Sequence, residues 1–239
     1  MRVESIIFIV KLHEAVRAGD AKAVKRLLAT SDVNAADREG RTPLHYAYRG
    51  EIVRMLVEHG ADPRAVDRYG VPAWAYILAR GDAEAVWLIS AFVNPEYRDY
   101  AGRSFMHYAA MNIYAPALEI IREVWPNRYD VNDRDYYGKT PIYYAASPVV
   151  FRMLLKDGAD VAVKAAEVQY VKGEFVLVED ISPWHAAARY GAPHIEALLQ
   201  FDAYKDHKDS LGRTPREYAR DPETLRLIDA LRKSARISL

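Results

Sequence analysis

The sequence predicts an all-α fold: an α-solenoid of about seven helix-turn-helix repeats, joined by turns of the β-hairpin type. Two observations support this prediction. A frame of eleven residues recurs with starts at 8, 40, 70, 102, 138, 180 and 212, which are 32, 30, 32, 36, 42 and 32 residues apart. In the first repeat Val24, Leu27 and Leu28 follow the frame at helical spacing and mark a second helix. Self-similarity at this period is typical of stacked repeats.

Each frame starts with residues that begin a helix. The second repeat reads GRTPLHYA over 40–47, and the fifth reads GKTPIYYA over 138–145. The Thr42 hydroxyl is suited to accept a free amide at the helix start, and Pro43 lacks an amide where none is needed. An Asp-x-x-Gly turn precedes the frame, in which Asp bonds its own backbone and Gly takes a conformation that other residues avoid. These turns begin at Asp37, Asp67, Asp99, Asp135 and Asp209.

This set of motifs resembles the ankyrin repeat. The matching residues are the Thr-Pro-Leu-His-x-Ala stretches, the Asp-x-x-Gly turns and the closing triplets Gly60–Asp62 and Gly158–Asp160, and they cover essentially the whole chain. The resemblance implies a single ankyrin repeat domain over 1–239. Its predicted parts are an N-terminal cap at 1–36, internal repeats at 37–66, 67–98, 99–134, 135–178 and 179–208, and a C-terminal cap at 209–239.

The largest departure from the repeat predicts a β-hairpin insertion near 163–179. Two runs with β-forming residues, Val168–Val171 and Phe175–Val178, flank Lys172–Glu174, which contains a glycine suited to a tight turn. Two interpretations stay open. The hairpin is either a longer version of the turn that every repeat carries or a dedicated binding element.

Two further local predictions concern the core. The apolar run at 6–10 is too short to span a bilayer and is expected to lead into the core of the first repeat. Pro148 is expected to begin the second helix of the fifth repeat, with Val149, Met153 and Leu154 facing the core.

Composition narrows the function classes. The formal net charge is +0, so no overall charge favours nucleic acid or an anionic membrane. There is no cysteine, which excludes disulfides, thiol catalysis and thiolate metal sites. We therefore expect a cytoplasmic protein without a cofactor or metal. Arginine outnumbers lysine and Asn and Gln are scarce, which predicts a heat-adapted source; melting in the ordinary mesophilic range would contradict that prediction.

The histidines favour structure over catalysis. His13, His45, His107 and His185 share one position in the frame, so they lie one repeat apart rather than in one site. In the family that this chain resembles, this histidine bonds neighbouring backbone and the capping threonine. The sequence has no H-E-x-x-H motif, phosphate-binding glycine loop or nucleophile elbow, so no enzyme is expected.

Candidate binding residues occupy positions that the repeat leaves variable. In the ankyrin family, the fingertips (the tips of the turns between repeats) and the exposed side of the first helix line a concave groove. Tyrosine and arginine, which are enriched in interface hot spots, recur there. The fingertip candidates are Arg38, Glu39, Arg41, Arg68, Tyr69, Tyr100, Arg103, Tyr136, Tyr137 and Lys139, and the candidates in the row after the histidine position are Tyr46, Tyr76, Tyr108 and Tyr144. This tyrosine row is interpreted either as an interface or as packing between repeats.

Two function classes follow. The first is a non-enzymatic scaffold, expected to be monomeric, that binds a protein partner in the concave groove between the second and fifth repeats. The alternative is a binder of an anionic ligand or nucleic acid that uses the interleaved arginines and tyrosines. An enzyme is a remote third class, since it would need a cofactor that the sequence does not indicate.

Overall fold

The structure is a computed structural model that describes residues 11–202 and 205–237. The chain forms two compact units, one up to Tyr129 and one from Asp130, and each is described by itself. The predicted apolar lead at 6–10 and the frame start at 8 lie outside the described residues.

The first unit consists of helices and turns. The first helix of a repeat packs on the first helix of the next repeat, and the second helix packs on the second. Each repeat is therefore covered by the next. The helices are α1 (11–17), α2 (Ala21–Leu28), α3 (Gly50–Glu58), α4 (Ala73–Arg80), α5 (Ala83–Ser90), α6 (Phe105–Ala110) and α7 (Pro116–Val124), with 3-10 turns at Pro43–Tyr46 and Pro126–Arg128.

The second unit adds the predicted hairpin to the same helical scheme. Its helices are α8 (Pro148–Lys156), α9 (Pro183–Tyr190), α10 (Ala192–Leu199) and α11 (Pro222–Ile237), with 3-10 turns at Pro141–Tyr144 and Pro215–Tyr218. Strands β1 (Ala165–Val171) and β2 (Glu174–Ile181) pair antiparallel, which confirms the hairpin predicted near 163–179. Lys172 and Gly173 join them with φ of 50° and 96°, as a tight hairpin turn of matching twist requires.

The histidine of the frame has the predicted structural role. The side chain of His45 accepts a hydrogen bond from the Thr42 amide at 3.0 Å, while the Thr42 side chain accepts one from the His45 amide. This reciprocal cap satisfies two amides that a helix start would otherwise leave unpaired. His107 and His185 cap Ser104 and Ser182 in the same way.

The same histidine position also joins consecutive repeats. His13 Nε2 lies 2.9 Å from the Arg41 carbonyl oxygen, and His185 Nε2 lies 3.2 Å from that of Arg213. The ring of His185 therefore holds both its own repeat, through Ser182, and the turn of the next.

The helical phase of α8 corrects one prediction. Pro148 begins the helix as expected, but Val149 is 51% exposed, while Val150 and Phe151 are buried. The buried side chains are at 150, 151, 154 and 155, so Leu154 faces the core as predicted, and Met153 is half-buried. The proline fixes where the helix starts, whereas packing decides which face is buried.

Two glycines with positive φ, Gly40 in the Asp37 turn and Gly60 after α3, predict a difference between two alanine substitutions. Gly40 and Gly60 have φ of +76° and +86°, so alanine at either position is strained by ~1–2 kcal/mol. At Gly40 the added Cβ would also lie 2.9 Å from the Arg68 amide nitrogen, whereas at Gly60 it would meet nothing within 4 Å. Gly40→Ala is expected to lower the free energy of unfolding by about 1 kcal/mol more than Gly60→Ala. Urea unfolding followed by circular dichroism measures this, and equal losses would show that the close approach is unimportant.

Candidate protein-binding surface

One carboxylate organises each turn. Asp67 Oδ1 accepts hydrogen bonds from the amides of Tyr69 and Val71, at 2.9 and 3.0 Å. The Gly70 amide donates to the Asp67 carbonyl oxygen at 2.9 Å, and the positive φ of Gly70 closes the turn. The same pattern is present at Asp37, Asp99, Asp135 and Asp209.

The second oxygen of the same carboxylate holds the tyrosine row. Tyr46, Tyr76 and Tyr108 each donate a 2.7 Å hydrogen bond to Oδ2 of the turn aspartate nine residues earlier. Tyr144 and Tyr218 make the same bond to Asp135 and Asp209. The hydroxyls of this row therefore belong to the repeat, which supports the packing interpretation for that end of the ring.

The prediction that Tyr108 contacts a partner needs correction. Its side chain is only 5% exposed, because the ring packs edge-on against Trp74 and the hydroxyl is held by Asp99. Tyr108 thus offers almost no surface to a partner. Tyr46, Tyr76 and Tyr144 are half-buried and expose part of each ring.

Burial and hydrogen bonding oppose each other at these carboxylates. Burial raises the pKa of Asp67, but the bonds from Tyr76, Val71, Tyr69 and Arg41 outweigh it and lower the pKa below its usual value. The pKa values of Asp37, Asp99 and Asp209 are lowered for the same reason. Burial and the neighbouring carboxylate raise the pKa of Tyr76 to about 12. Asp67 is therefore anionic and the phenol of Tyr76 neutral at physiological pH.

Arginines stack on the tyrosines of the first unit in alternation. Arg17 lies 4.2 Å from the ring centre of Tyr46, and Arg41 lies 5.9 Å from Tyr46 and 5.0 Å from Tyr76. Arg80 lies 5.1 Å from Tyr76. These are cation–π distances. We call the series Arg17, Tyr46, Arg41, Tyr76 and Arg80 the arginine–tyrosine ladder.

The members of the ladder differ in their ionic partners. Arg41 donates to Tyr76 at 2.9 Å and pairs with Asp67 at 3.4 Å, so its charge is balanced. Arg80 donates to backbone carbonyl oxygens of His45 and Tyr76, and within the described residues no carboxylate pairs with Arg80 or Arg17. Neither arginine was predicted from the sequence, because the two follow the tyrosine position of the frame at different distances in their repeats.

The predicted fingertip residues of the first unit divide by exposure. Arg38, Arg68, Tyr69 and Tyr100 are exposed, whereas Glu39, Arg41 and Arg103 are half-buried. Arg68 pairs with Glu39 at 2.7 Å and stacks on Tyr69, and Arg103 pairs with Asp99 at 2.7 Å. Tyr100 is 78% exposed.

In the second unit Tyr136 and Tyr137 are exposed, and Lys139 is half-buried. Lys139 and Arg189 both pair with Glu167 of β1, Lys139 at 2.8 Å. Burial opposes the ionisation of Glu167, but the two cations outweigh it and hold its pKa at about 2. Lys139 therefore anchors the hairpin.

The described residues hold no candidate metal site and no candidate membrane-spanning helix. Among the side chains that the structure describes, no group of three or more His, Asp or Glu is arranged to hold a metal ion. No helix within 11–202 or 205–237 combines the length and apolar character needed to cross a bilayer.

Comparison with known proteins identifies the class of protein. A family model for "Ankyrin repeats (3 copies)" matches residues 11–67, and one for "Ankyrin repeat" matches residues 137–166. The chain is an ankyrin repeat protein, in agreement with the capped helix starts and the Asp-x-x-Gly turns.

Individual relatives add detail to this membership. Human Rabankyrin-5 is 34% identical over 163 residues, which are 63% of this chain and 14% of that protein. The mouse B-cell lymphoma 3 protein homolog is 27% identical over 241 residues, which are 94% of this chain and 50% of the relative. The chain thus spans half or less of these curated relatives. The crystal structure of the ankyrin repeat domain of Bcl-3 has a TM-score of 0.53 at 24% identity and covers 92% of this chain and 97% of that one, which supports the fold alone.

The tyrosine–aspartate bond predicts a measurable loss of stability. Tyr76→Phe removes the hydroxyl that donates to Asp67 and accepts from Arg41, so the free energy of unfolding is expected to fall by ~1.5–3 kcal/mol. Urea denaturation checks this. Tyr100→Phe is the matched control, because the ring of Tyr100 is mostly exposed, and it is expected to change little. A loss of the same size in both variants would contradict the structural role of the row.

The lowered pKa of Asp67 predicts a pH dependence. A carboxylate whose pKa is lower in the folded state stabilises the fold above its unfolded pKa, about 3.9, and this contribution is lost as pH falls through the folded pKa. Asp67→Asn is expected to be destabilised by ~1–3 kcal/mol at neutral pH. The difference from the parent protein should shrink below about pH 4. Urea unfolding at several pH values measures this, and a constant difference would mean that the charge is unimportant.

Proposed function

We propose that this protein is a non-enzymatic interaction scaffold that binds a protein partner through its fingertips. Membership of the ankyrin repeat family supports this class of function. The named relatives are ankyrin repeat proteins of greater length, so the partner of this chain is inferred from its own surface.

The proposal rests on a contrast between two groups of tyrosines. Those of the row hydrogen-bond to the turn carboxylates, whereas those at the turn tips are exposed to solvent. Tyr76 and Tyr108 direct their hydroxyls to a buried carboxylate. Tyr100 and Tyr136 stand at turn tips with 78% and 74% of their surface exposed. Large exposed aromatic side chains that add little to the fold are typical of contact residues, since they supply area at low entropic cost.

Exposed cations extend this surface in the first unit. Arg38 lies at the same kind of tip, and no side-chain hydrogen bond or ion pair joins it to the described residues. The edges of Tyr46 and Tyr76 in the arginine–tyrosine ladder remain partly exposed beside Arg17 and Arg80. An acidic or aromatic partner segment would complement this combination.

A second candidate function has one specific observation in its favour. Arg17 and Arg80 are cations on aromatic rings with no carboxylate partner among the described residues. Interleaved arginine and tyrosine also suit the phosphates and bases of single-stranded nucleic acid. Salt dependence separates the two functions, because nucleic-acid affinity falls linearly with log salt and with a steep slope.

The test compares fingertip and control variants of the intact chain. Arg38→Ala/Tyr100→Ala/Tyr136→Ala is expected to weaken binding of a captured partner by about thirtyfold or more, which corresponds to the loss of a hot spot. Affinity capture from the protein's own source followed by quantitative binding provides the measurement. Arg103 is left unchanged because it pairs with Asp99 and stacks on Tyr108.

Trp87→Ala/Tyr114→Ala is the matched control. Both side chains are exposed aromatics, on α5 and on the loop after α6, and neither lies at a turn tip. Partners that are retained by the fingertip variant and lost by this control would place binding elsewhere. Binding of single-stranded nucleic acid with a steep salt slope would support the second function instead.

A further inference from the structure

We propose that the hairpin is a second docking surface, which binds a short segment of another protein carrying apolar side chains beside an acidic one. The outward face of β1 and β2 carries Val168, Tyr170, Phe175 and Leu177, which we call the hairpin patch. The hairpin patch shares no residue with the fingertip candidates, so it can be tested independently of them.

Strand register defines the patch. Val168 pairs with Leu177, and Tyr170 pairs with Phe175, so the four side chains are cross-strand neighbours on one face. The rings of Tyr170 and Phe175 lie 5.1 Å apart. Their exposures are 68% and 79%, and those of Val168 and Leu177 are 53% and 50%.

The opposite face of the hairpin is turned to the body of the unit and carries polar side chains beside valines, of which Val178 is fully buried. Glu167 pairs with Lys139 and Arg189, and Gln169 bonds to Arg213 and Tyr218 at 2.8 and 3.1 Å. Apolar side chains therefore lie on both faces, whereas the outward face of a half-exposed sheet is usually polar. The ion pairs and hydrogen bonds that hold the hairpin do not need apolar side chains on its outward face. An exposed apolar cluster on a sheet favours association with another molecule.

A charged cleft adjoins the patch and sets the chemistry of the partner. The cleft has a volume of about 470 Å³. Two residues of the hairpin patch, Val168 and Tyr170, also line the cleft. Its charged lining consists of Arg189, Arg213, Arg220, Glu167 and Glu217.

The carboxylates of this lining are already engaged, while one cation is not. Glu167 is held by Arg189, and Glu217 accepts hydrogen bonds from the Thr214 amide and hydroxyl. Arg213 pairs with Asp209 at 2.8 Å. Arg220 is exposed and has no carboxylate partner within the described residues. An incoming carboxylate would therefore complement Arg220 in the cleft that adjoins the patch.

The size of the patch argues against a second copy of the chain as the occupant. A fully buried aromatic side chain contributes roughly 150–250 Å², so four partly exposed side chains offer well under the ~800 Å² per partner of a stable interface. A segment that covers the patch and also enters the cleft gains contacts that a face-to-face dimer lacks. The aliphatic half of the patch and the single unpaired cation favour a peptide over nucleic acid.

The experiment selects peptides from a random display library on the intact chain and measures a labelled consensus peptide by fluorescence polarisation. The expected consensus combines apolar residues with Asp or Glu. Tyr170→Ser/Phe175→Ser is expected to weaken its binding by about thirtyfold, and Arg220→Ala by about tenfold. Replacing the acidic residue of the peptide by its amide should remove the effect of Arg220→Ala.

Tyr136→Ser is the control, because its ring is as exposed as those of the patch but lies at a fingertip. It is expected to leave the consensus affinity unchanged while sharing the far-ultraviolet circular dichroism of the parent. Peptides that bind the patch variant as tightly as the parent would overturn the proposal. So would a selection without acidic residues, nucleic acid that competes for the patch, or a dimer of the parent in light scattering that the patch variant abolishes.

Discussion

Each Asp-x-x-Gly turn of this protein depends on one carboxylate that performs two tasks. One oxygen of Asp67 holds the amides that define the turn, and the other holds Tyr76 on the following helix. The hydrogen bonds keep the carboxylate charged although it is buried, which would otherwise be unfavourable. The same carboxylate therefore sets the geometry of the turn and the position of the helix. It also fixes the tyrosine ring on which the arginines stack.

This arrangement separates residues that build the repeat from residues that are left for recognition. Tyrosine serves both purposes in this chain. At the row position its ring and hydroxyl are both engaged, as at Tyr108, whereas at the turn tip the ring of Tyr136 faces solvent. Histidine, by contrast, serves only the fold at its repeated position, since His45 is fully buried and caps its own helix start.

Helix caps, turns and helix starts were predictable from the sequence, because a single residue decides where each of them forms. The cap at Thr42, the Asp-x-x-Gly turns and the start of α8 at Pro148 all follow from bonds within a few residues. The phase of α8 and the burial of Tyr108 did not, because they depend on packing against distant residues. The bond from Tyr76 to Asp67 spans nine residues at constant spacing, so the pattern was present in the sequence but its meaning needed geometry. The orientation of the hairpin depended on anchors at Lys139 and Tyr218, far away in the chain.

The backbone bonds between neighbouring turns have an evolutionary consequence. The Arg68 amide donates to the Glu39 carbonyl oxygen at 2.9 Å, and the Ala166 amide donates to that of Tyr137 at 2.7 Å. Because main-chain atoms set the distance between these tips, a mutation that changes a tip side chain leaves its neighbour in position. Selection is then free to alter the chemistry of one tip at a time, and specificity for a new partner would be reached through single substitutions that each keep the fold intact.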